Sequence, residues 1–216
     1  MKSFVSIILL LGSGALISHA QIVHFSVNET IPDTFDGLFV DIDGGTTGAS
    51  TTAVPNWDVN FFLGGAGIYT NTNFQTVSST TGGDLAAAIN LPSGTLVQSS
   101  LDYSTASTIT GSSAHMGTGL DQFAANNSGF LGFSFDPGDG VKYGWARVTF
   151  LNSGPSGTLH EWAYDSTGAS LEAGTVPEPS TYALLLGVMA LAFVVVLTGR
   201  NRETNETSDE EPKTRS

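Results

Sequence analysis

The chain has 216 residues, 40% of them hydrophobic, and it carries a formal net charge of −13. Cysteine is absent, which excludes disulfide bonds, thiol catalysis and cysteine-ligated metal centres. The strongly acidic balance argues against nucleic acid as a partner, because like charges repel.

The first 20 residues have the layout of a secretory signal peptide. Lys2 supplies a positive start, residues 4–17 form an apolar segment, and Ser18-His19-Ala20 fits a cleavage site with small residues at both ends. We therefore expect an exported protein whose mature form begins at Gln21. A retained N-terminal anchor is the alternative, although the apolar segment is short for one.

Residues 21–174 are expected to form one extracytoplasmic domain. Between Gln21 and Val176 there are 14 acidic side chains but only two basic ones, Lys142 and Arg147. The favoured interpretation is that this acidity keeps an exported protein soluble. The alternative is that the acidic side chains attract divalent cations or basic partners as part of the protein's function. A domain of this size can bury enough surface to be stable without covalent cross-links.

Strand patterns predominate in this domain. Apolar and polar residues alternate with a period of two, which is typical of half-buried strands, and glycine-rich turns separate the segments. The segment Asp84–Asn90 is the one predicted helix, and residues 93–129 are expected to be loops with one or two edge strands. Together the segments predict an all-β fold, a single β-sandwich for which a jelly-roll is one possible strand order. The predicted strands are 22–27, 38–42, 57–61, 67–70, 73–77, 130–135, 141–151 and 159–164.

Residues 175–202 carry a proline-rich box, an apolar run and two arginines, in that order. From Ala183 to Leu197 every residue is apolar or glycine, and polar flanks extend the segment toward the 17–25 or so helical residues that a bilayer requires. Backbone groups in lipid must satisfy themselves, so we expect a transmembrane helix with its arginines on the cytoplasmic side. A plain single-pass anchor after a proline-rich linker is the alternative. The box is Pro177-Glu178-Pro179, and the basic residues are Arg200 and Arg202.

This arrangement resembles the PEP-CTERM sorting signal of bacterial surface proteins. In that family the box, helix and basic cluster are the substrate of an exosortase, a membrane-embedded processing enzyme. Tyr143-Gly-Trp-Ala-Arg147 and Glu161-Trp-Ala-Tyr164 are similar to segments in the C-terminal half of many members. The resemblance implies an exported protein of the cell envelope or exopolysaccharide matrix, with an exosortase as partner and no enzyme activity. Members usually end soon after the basic cluster, whereas this chain continues through an acidic tail, 203–216, which we expect to be disordered.

Metal-binding candidates are few in the sequence. In Asp41-Ile-Asp43-Gly44, two carboxylates two residues apart could share one hard cation. A calcium loop of the EF-hand type would need glutamate where Thr52 stands, so a turn at a strand end is the favoured interpretation. Asp136 and Asp139 are similarly explained by a hairpin turn. We expect no cofactor.

Other candidate sites depend on aromatic and histidine side chains. Trp145 and Trp162 lie on predicted strands, where an exposed ring could stack on a sugar and a buried ring would pack in the core, the more common outcome. The histidines His24, His115 and His160 have no metal-ligand spacing. No nucleophile motif of the G-x-S-x-G type is present, and Glu161 with Asp165 could form a carboxylate pair.

Three functions remain after the sequence is considered. The first is a non-enzymatic envelope or biofilm-matrix protein, docked at the membrane by its C-terminal helix and then processed. The second is a carbohydrate-binding module at the cell surface that contacts extracellular polysaccharide through Trp145 or Trp162. The third is an extracellular polysaccharide hydrolase, which would lose turnover when one acidic or histidine side chain is replaced.

Overall fold

The computed structural model describes residues 21–65, 67–79, 87–104, 110–150 and 156–176, together with Met189. The chain divides into two compact units, Met1–Val176 and Pro177–Ser216. The predicted signal peptide, the Pro-Glu-Pro box, the two C-terminal arginines and the acidic tail lie outside the described residues. Among the residues described, no helix combines the length and the apolar character needed to cross a membrane.

The described part of the first unit is mostly antiparallel strands, which confirms the predicted all-β fold. Each predicted strand segment coincides with an observed strand, with ends shifted by a few residues. The strands are β1 (Ile22–Pro32), β2 (Leu38–Asp41), β3 (Thr46–Gly48), β4 (Val59–Phe62), β5 (Gly67–Thr70), β6 (Phe74–Thr76), β7 (Asn90–Leu91), β8 (Leu96–Val97), β9 (Thr110–Ser113), β10 (Ser128–Phe135), β11 (Lys142–Thr149), β12 (Ser156–Asp165) and β13 (Leu171–Glu172).

Two sheets form the framework of a β-sandwich-like domain. The larger sheet has six strands in the order β1-β12-β11-β10-β6, and β7 also pairs with β10. The smaller sheet has five strands in the order β3-β2-β4-β5-β9. A separate two-stranded sheet pairs β13 with β8.

The main core lies between the two large sheets. Along β10, Leu131, Phe133 and Phe135 point inward at every second position and are fully buried. Val59 and Phe61 do the same along β4 in the opposite sheet. Each such side chain contributes about 1.5–3 kcal/mol by leaving water, so the alternation that marked these strands in the sequence also explains why they pack together.

The six-stranded sheet is buried on its other face as well. A second cluster there contains Trp145, Ala163 and Leu91, and it is covered by Val97 of β8 and Leu171 of β13. Consequently both faces of β11 and β12 carry buried side chains over part of their length. Such strands do not have a simple inside-outside alternation.

Strands β1 and β12 contain facing irregularities. The pairing shifts between Ser26 and Glu29 in β1, where Asn28 has a positive φ of 56°. In β12 it shifts at His160, because Arg147 and Val148 of β11 are paired with Glu161 and Leu159. A bulge of this kind reverses which residues face the core. As a result, Leu159 and Trp162 both belong to the main core although they are three residues apart.

The predicted helix at Asp84–Asn90 is wrong for the part that the structure describes. Ala88 is fully buried and forms bridges with Ser78 and Ala114, and Asn90 begins β7. The alanine-rich composition favoured a helix, but burial against extended neighbours decides the conformation here. The segment predicted to hold one or two edge strands contributes two strands of its own, β8 and β9, each in a sheet.

Candidate functional site

An acidic cleft lies at the end of the sandwich where several strands terminate together. β2 ends at Asp41, β4 begins just after Asp58, and β10 ends just before Asp136. Antiparallel pairing of β2 with β4 brings the end of one strand beside the start of the other. The cleft has a volume of about 460 Å³. Its polar lining consists of Asp41, Asp43, Asn56, Asp58, Asn71, Asn73 and Asp136.

Three of these carboxyl groups converge. One oxygen from each of Asp41, Asp43 and Asp58 lies within 4.8 Å of the others. Asp41 is buried, Asp58 is half-buried and Asp43 is exposed. The trio therefore extends from the protein interior to the solvent.

Backbone hydrogen bonds hold two of the three carboxylates in place. The Gly44 N–H donates to Asp41 Oδ1 at 2.6 Å, and the Ile42 N–H donates to Asp58 Oδ2 at 2.8 Å. The Gly45 N–H also donates to the Asp41 carbonyl at 3.0 Å. These bonds confirm that Asp41 initiates a turn at the end of a strand, and the first two each leave one oxygen of the Asp41 or Asp58 carboxylate outside the backbone hydrogen bond.

The cluster makes its own negative charges unfavourable. Burial raises the pKa of Asp58 to about 6; the Ile42 hydrogen bond opposes this, and the nearby charges of Asp43 and Asp41 add to it. Burial also raises the pKa of Asp41, against its hydrogen bond from Gly44 and reinforced by Asp43. A cation placed among the three would relieve both the lost hydration and the repulsion.

The donor set suits a hard divalent cation. Calcium in proteins takes about 6–8 oxygen ligands, carboxylates prominent among them, in flexible geometry. Asp41, Asp43 and Asp58 are the residues that could hold such an ion, and the cleft leaves room for water as further ligands. Asn71 is not free to join them, because its side chain accepts from the Thr72 N–H and donates to the Trp57 carbonyl.

The structure brings the two sequence-predicted metal candidates together and adds a third that the sequence analysis missed. Asp58 is 15 residues beyond Asp43 in the chain, and only the β2–β4 pairing places it alongside. The other acidic candidates serve the hairpin between β10 and β11. Asp136 Oδ1 accepts from the Gly138 and Gly140 N–H groups, and Asp139 pairs with Lys142 at 2.9 Å.

The tryptophans proposed to contact carbohydrate are not available for it. Trp145 and Trp162 are both 0% exposed. Trp162 packs in the main core and its Nε1–H donates to the Ile42 carbonyl at 3.0 Å, whereas Trp145 packs in the second core against Phe130. Neither ring offers a face to a sugar. Trp162 is enclosed in the main core, and the second core covers Trp145 on the side of the sheet that an isolated sandwich would expose. Core packing is the role that the structure gives both.

Two polar networks join the strands around the bulges. Glu161 accepts from Arg147 Nε at 2.6 Å and contacts His24 Nε2 at 2.8 Å. His160 Nε2 lies 2.8 Å from Thr149 Oγ1, and its Nδ1 lies 3.2 Å from Asn28 Oδ1. Burial lowers the pKa of His160, and the Arg147 charge lowers it further. Both networks connect β1, β12 and β11, and we assign them to holding the bulged strands together.

The predicted sorting residues lie outside the described part of the chain: Pro177, Glu178, Pro179, Arg200 and Arg202. No family model matches the chain, and neither a curated protein nor a solved structure matches it.

Proposed function

We propose that the chain is an exported, non-enzymatic protein of the bacterial cell envelope or exopolysaccharide matrix. Residues 1–20 direct its export, and residues 175–202 act as a PEP-CTERM signal that an exosortase processes. The apolar run Ala183–Leu197 anchors the protein in the membrane at least until processing. The β-sandwich-like domain is the part that works outside the cell.

The position of the fold boundary supports this proposal. The first compact unit ends at Val176, and the box begins at the next residue, Pro177. Val176 itself packs against the second core, and Leu171 and Ala173 just before it are buried there. A cut within or after the box would leave this core complete, whereas a cut several residues earlier would remove buried side chains.

The test is the intact mass of the protein from its producing cells, with cell and medium fractions measured separately. We expect a species that begins at Gln21 and ends within or soon after the box. Replacing Glu178 and both prolines by alanine should abolish this species, whereas the control Glu172→Ala, an exposed carboxylate on β13, should leave it unchanged. A mature protein that still carries residues 183–216 would refute processing and leave a permanent single-pass anchor.

A second function, binding of a hard divalent cation, is favoured by the convergence of three carboxylates within 4.8 Å. Calcium is the natural probe, because its chemistry matches an all-oxygen site. Calorimetric titration of the full-length chain should show calcium binding that Asp43→Asn weakens by at least about tenfold. Asp102→Asn removes an exposed carboxylate outside the cluster and should change nothing. Equal calcium affinity in wild type and Asp43→Asn would refute this site.

An extracellular hydrolase remains the alternative from another functional class. It predicts release of sugars from the producer's polysaccharide that one acidic substitution abolishes. Turnover that Asp58→Asn or Glu161→Gln eliminates in a correctly folded variant would replace the non-enzymatic proposal.

A further inference from the structure

An aromatic stack lies on the outer face of the five-stranded sheet. It consists of Phe35, Phe62 and Tyr69. The Phe62 and Tyr69 rings are 4.5 Å apart with an interplanar angle of 15°, and Phe35 continues the stack at 6.5 Å and 27°. Phe62 is 7% exposed, but Tyr69 is 37% and Phe35 is 78% exposed. Both ends of the stack are thus open to solvent.

The backbone on both sides of the exposed Phe35 is held in place although it lies in a loop. The loop before β2 is tied to the sheet on both sides of this residue: Leu63 N–H donates to the Thr34 carbonyl at 3.0 Å, and Asn60 Nδ2 donates to the Asp36 carbonyl at 3.0 Å. Gly37, which follows Asp36, has φ +68° and lies so close to β4 that a Cβ would be 2.5 Å from the Phe61 carbonyl oxygen. A backbone held in place beside a large exposed ring suits binding, because the loop loses little conformational entropy when a ligand arrives.

The charges around the stack determine which ligand fits. Asp33 and Asp36 flank Phe35 in the same loop, and both are exposed. In the described parts of the chain, Lys142 and Arg147 are the two lysine or arginine residues, and each is paired with an acidic side chain. An anionic polymer would therefore find two carboxylates beside the ring and no unpaired lysine or arginine among the described residues. A cationic ligand would find complementary charge beside an apolar ring.

We propose that the aromatic stack binds a polysaccharide that contains free amino sugars, such as a partly deacetylated polymer of N-acetylglucosamine. The apolar face of the sugar ring packs on Phe35, and the protonated amine pairs with Asp33 and Asp36. This inference deepens the proposed function: it rests on the protein acting outside the cell, and it gives the matrix component that the domain would hold. It also moves carbohydrate contact from the buried tryptophans to the opposite sheet.

The test is binding of the full-length chain, purified in a mild detergent, to glucosamine oligomers at mildly acidic pH, where the amine of the sugar is protonated. Calorimetry should detect binding to glucosamine oligomers, at least about tenfold weaker binding to their N-acetylated counterparts, and none to the anionic polymer alginate. Phe35→Ala should weaken binding about tenfold, and Asp36→Asn about threefold. Raising the salt concentration should weaken binding in wild type more than in Asp36→Asn.

The controls separate stacking from general stickiness and from misfolding. Leu120 is 95% exposed in another loop, so Leu120→Ala removes a comparable apolar surface and should leave binding unchanged. Circular dichroism and thermal melting should be the same for wild type and Phe35→Ala, because the Phe35 ring is largely in solvent. Equal binding of acetylated and free amino sugars, or no binding at all, would overturn the proposal. So would a Phe35-dependent dimer in light scattering, which would assign the stack to a second copy of the chain.

The result of the glucosamine-binding test can be distinguished from the result of the test of export and processing. A chain that is exported and cut at the box but does not bind glucosamine oligomers overturns only the ligand. A chain that binds them but keeps residues 183–216 in cells overturns only the processing.

Discussion

Asp58→Asn should make the protein more stable in a calcium chelator at neutral pH. The substitution removes one negative charge from the cluster while an amide oxygen can still accept the hydrogen bond from the Ile42 N–H. Since burial and the neighbouring carboxylates raise the pKa of Asp58 from 3.8 to about 6, the folded protein holds that proton more tightly than the unfolded chain does. The charged form therefore lowers the free energy of unfolding at neutral pH.

The size of the effect follows from the two pKa values. At about 1.4 kcal/mol for each pH unit, the rise from 3.8 to about 6 is worth at most about 3 kcal/mol. Asp58 is only half-buried, so solvent screening reduces the expected gain to about 1–2 kcal/mol. The wild type is stabilised by the tighter binding of the Asp58 proton in the folded state. This stabilisation is fully present below pH 3.8 and is lost as the pH rises through about 6. The variant lacks this dependence.

Urea denaturation of wild type and Asp58→Asn across this pH range, with chelator or with calcium, measures the effect. In chelator the variant should exceed the wild type at neutral pH, and the difference should close below pH 3.8. Calcium should stabilise the wild type and not the variant, because ligand binding to the folded state adds to its stability. A variant less stable than wild type in chelator at neutral pH would refute the argument, as would a gain that persists unchanged in acid. Asp102→Asn serves as the control for removing an isolated exposed charge.

Three further predictions concern hydrogen bonds and backbone geometry. Trp162→Phe removes an N–H that donates to the Ile42 carbonyl at 3.0 Å, whereas the buried Nε1 of Trp145 has no partner among the described residues. Urea melts should therefore show Trp162→Phe to be about 1–3 kcal/mol less stable than Trp145→Phe, and equal losses would mean that the bond contributes nothing. Glu161→Gln should lower the free energy of unfolding by about 1 kcal/mol at neutral pH, because it removes a charge that the folded state stabilises. Burial alone would raise the pKa of Glu161, but hydrogen bonds from its arginine and histidine neighbours lower the pKa below 4.5. The deficit should close as the pH falls below 4.5, because a depressed pKa stabilises only the ionised state, and a constant deficit would contradict this origin. Gly37→Ala should cost about 1–3 kcal/mol in thermal melts, since φ is +68° and a Cβ would lie 2.5 Å from a carbonyl oxygen of β4, and an unchanged melting temperature would contradict this close approach.

Local pattern was sufficient to locate most strands. The alternation in Phe130–Phe135 and the turn at Asp136–Gly140 are properties of adjacent residues, and both appear in the structure as predicted. The sequence pattern gave the wrong secondary structure where burial against residues distant in the chain outweighed local helix propensity. Ala88 lies in an alanine-rich segment that favours a helix, yet it forms extended bridges to residues 10 and 26 positions away.

The composition of the chain and the order of its segments were determined by the sequence alone: an acidic, cysteine-free domain between a predicted export signal and a Pro-Glu-Pro box. The meeting of Asp58 with Asp41 and Asp43 was decided by tertiary structure, because only strand pairing brings residues so distant in the chain within 4.8 Å. The burial of Trp145 was also decided there, since β8 and β13 cover a sheet face that a period of two cannot distinguish from an exposed one. The bulge at His160 reverses the alternation within β12. The side of the sheet on which Trp162 lies therefore depends on the pairing of β12 with β1 and β11, and not on the residues next to Trp162 in the sequence.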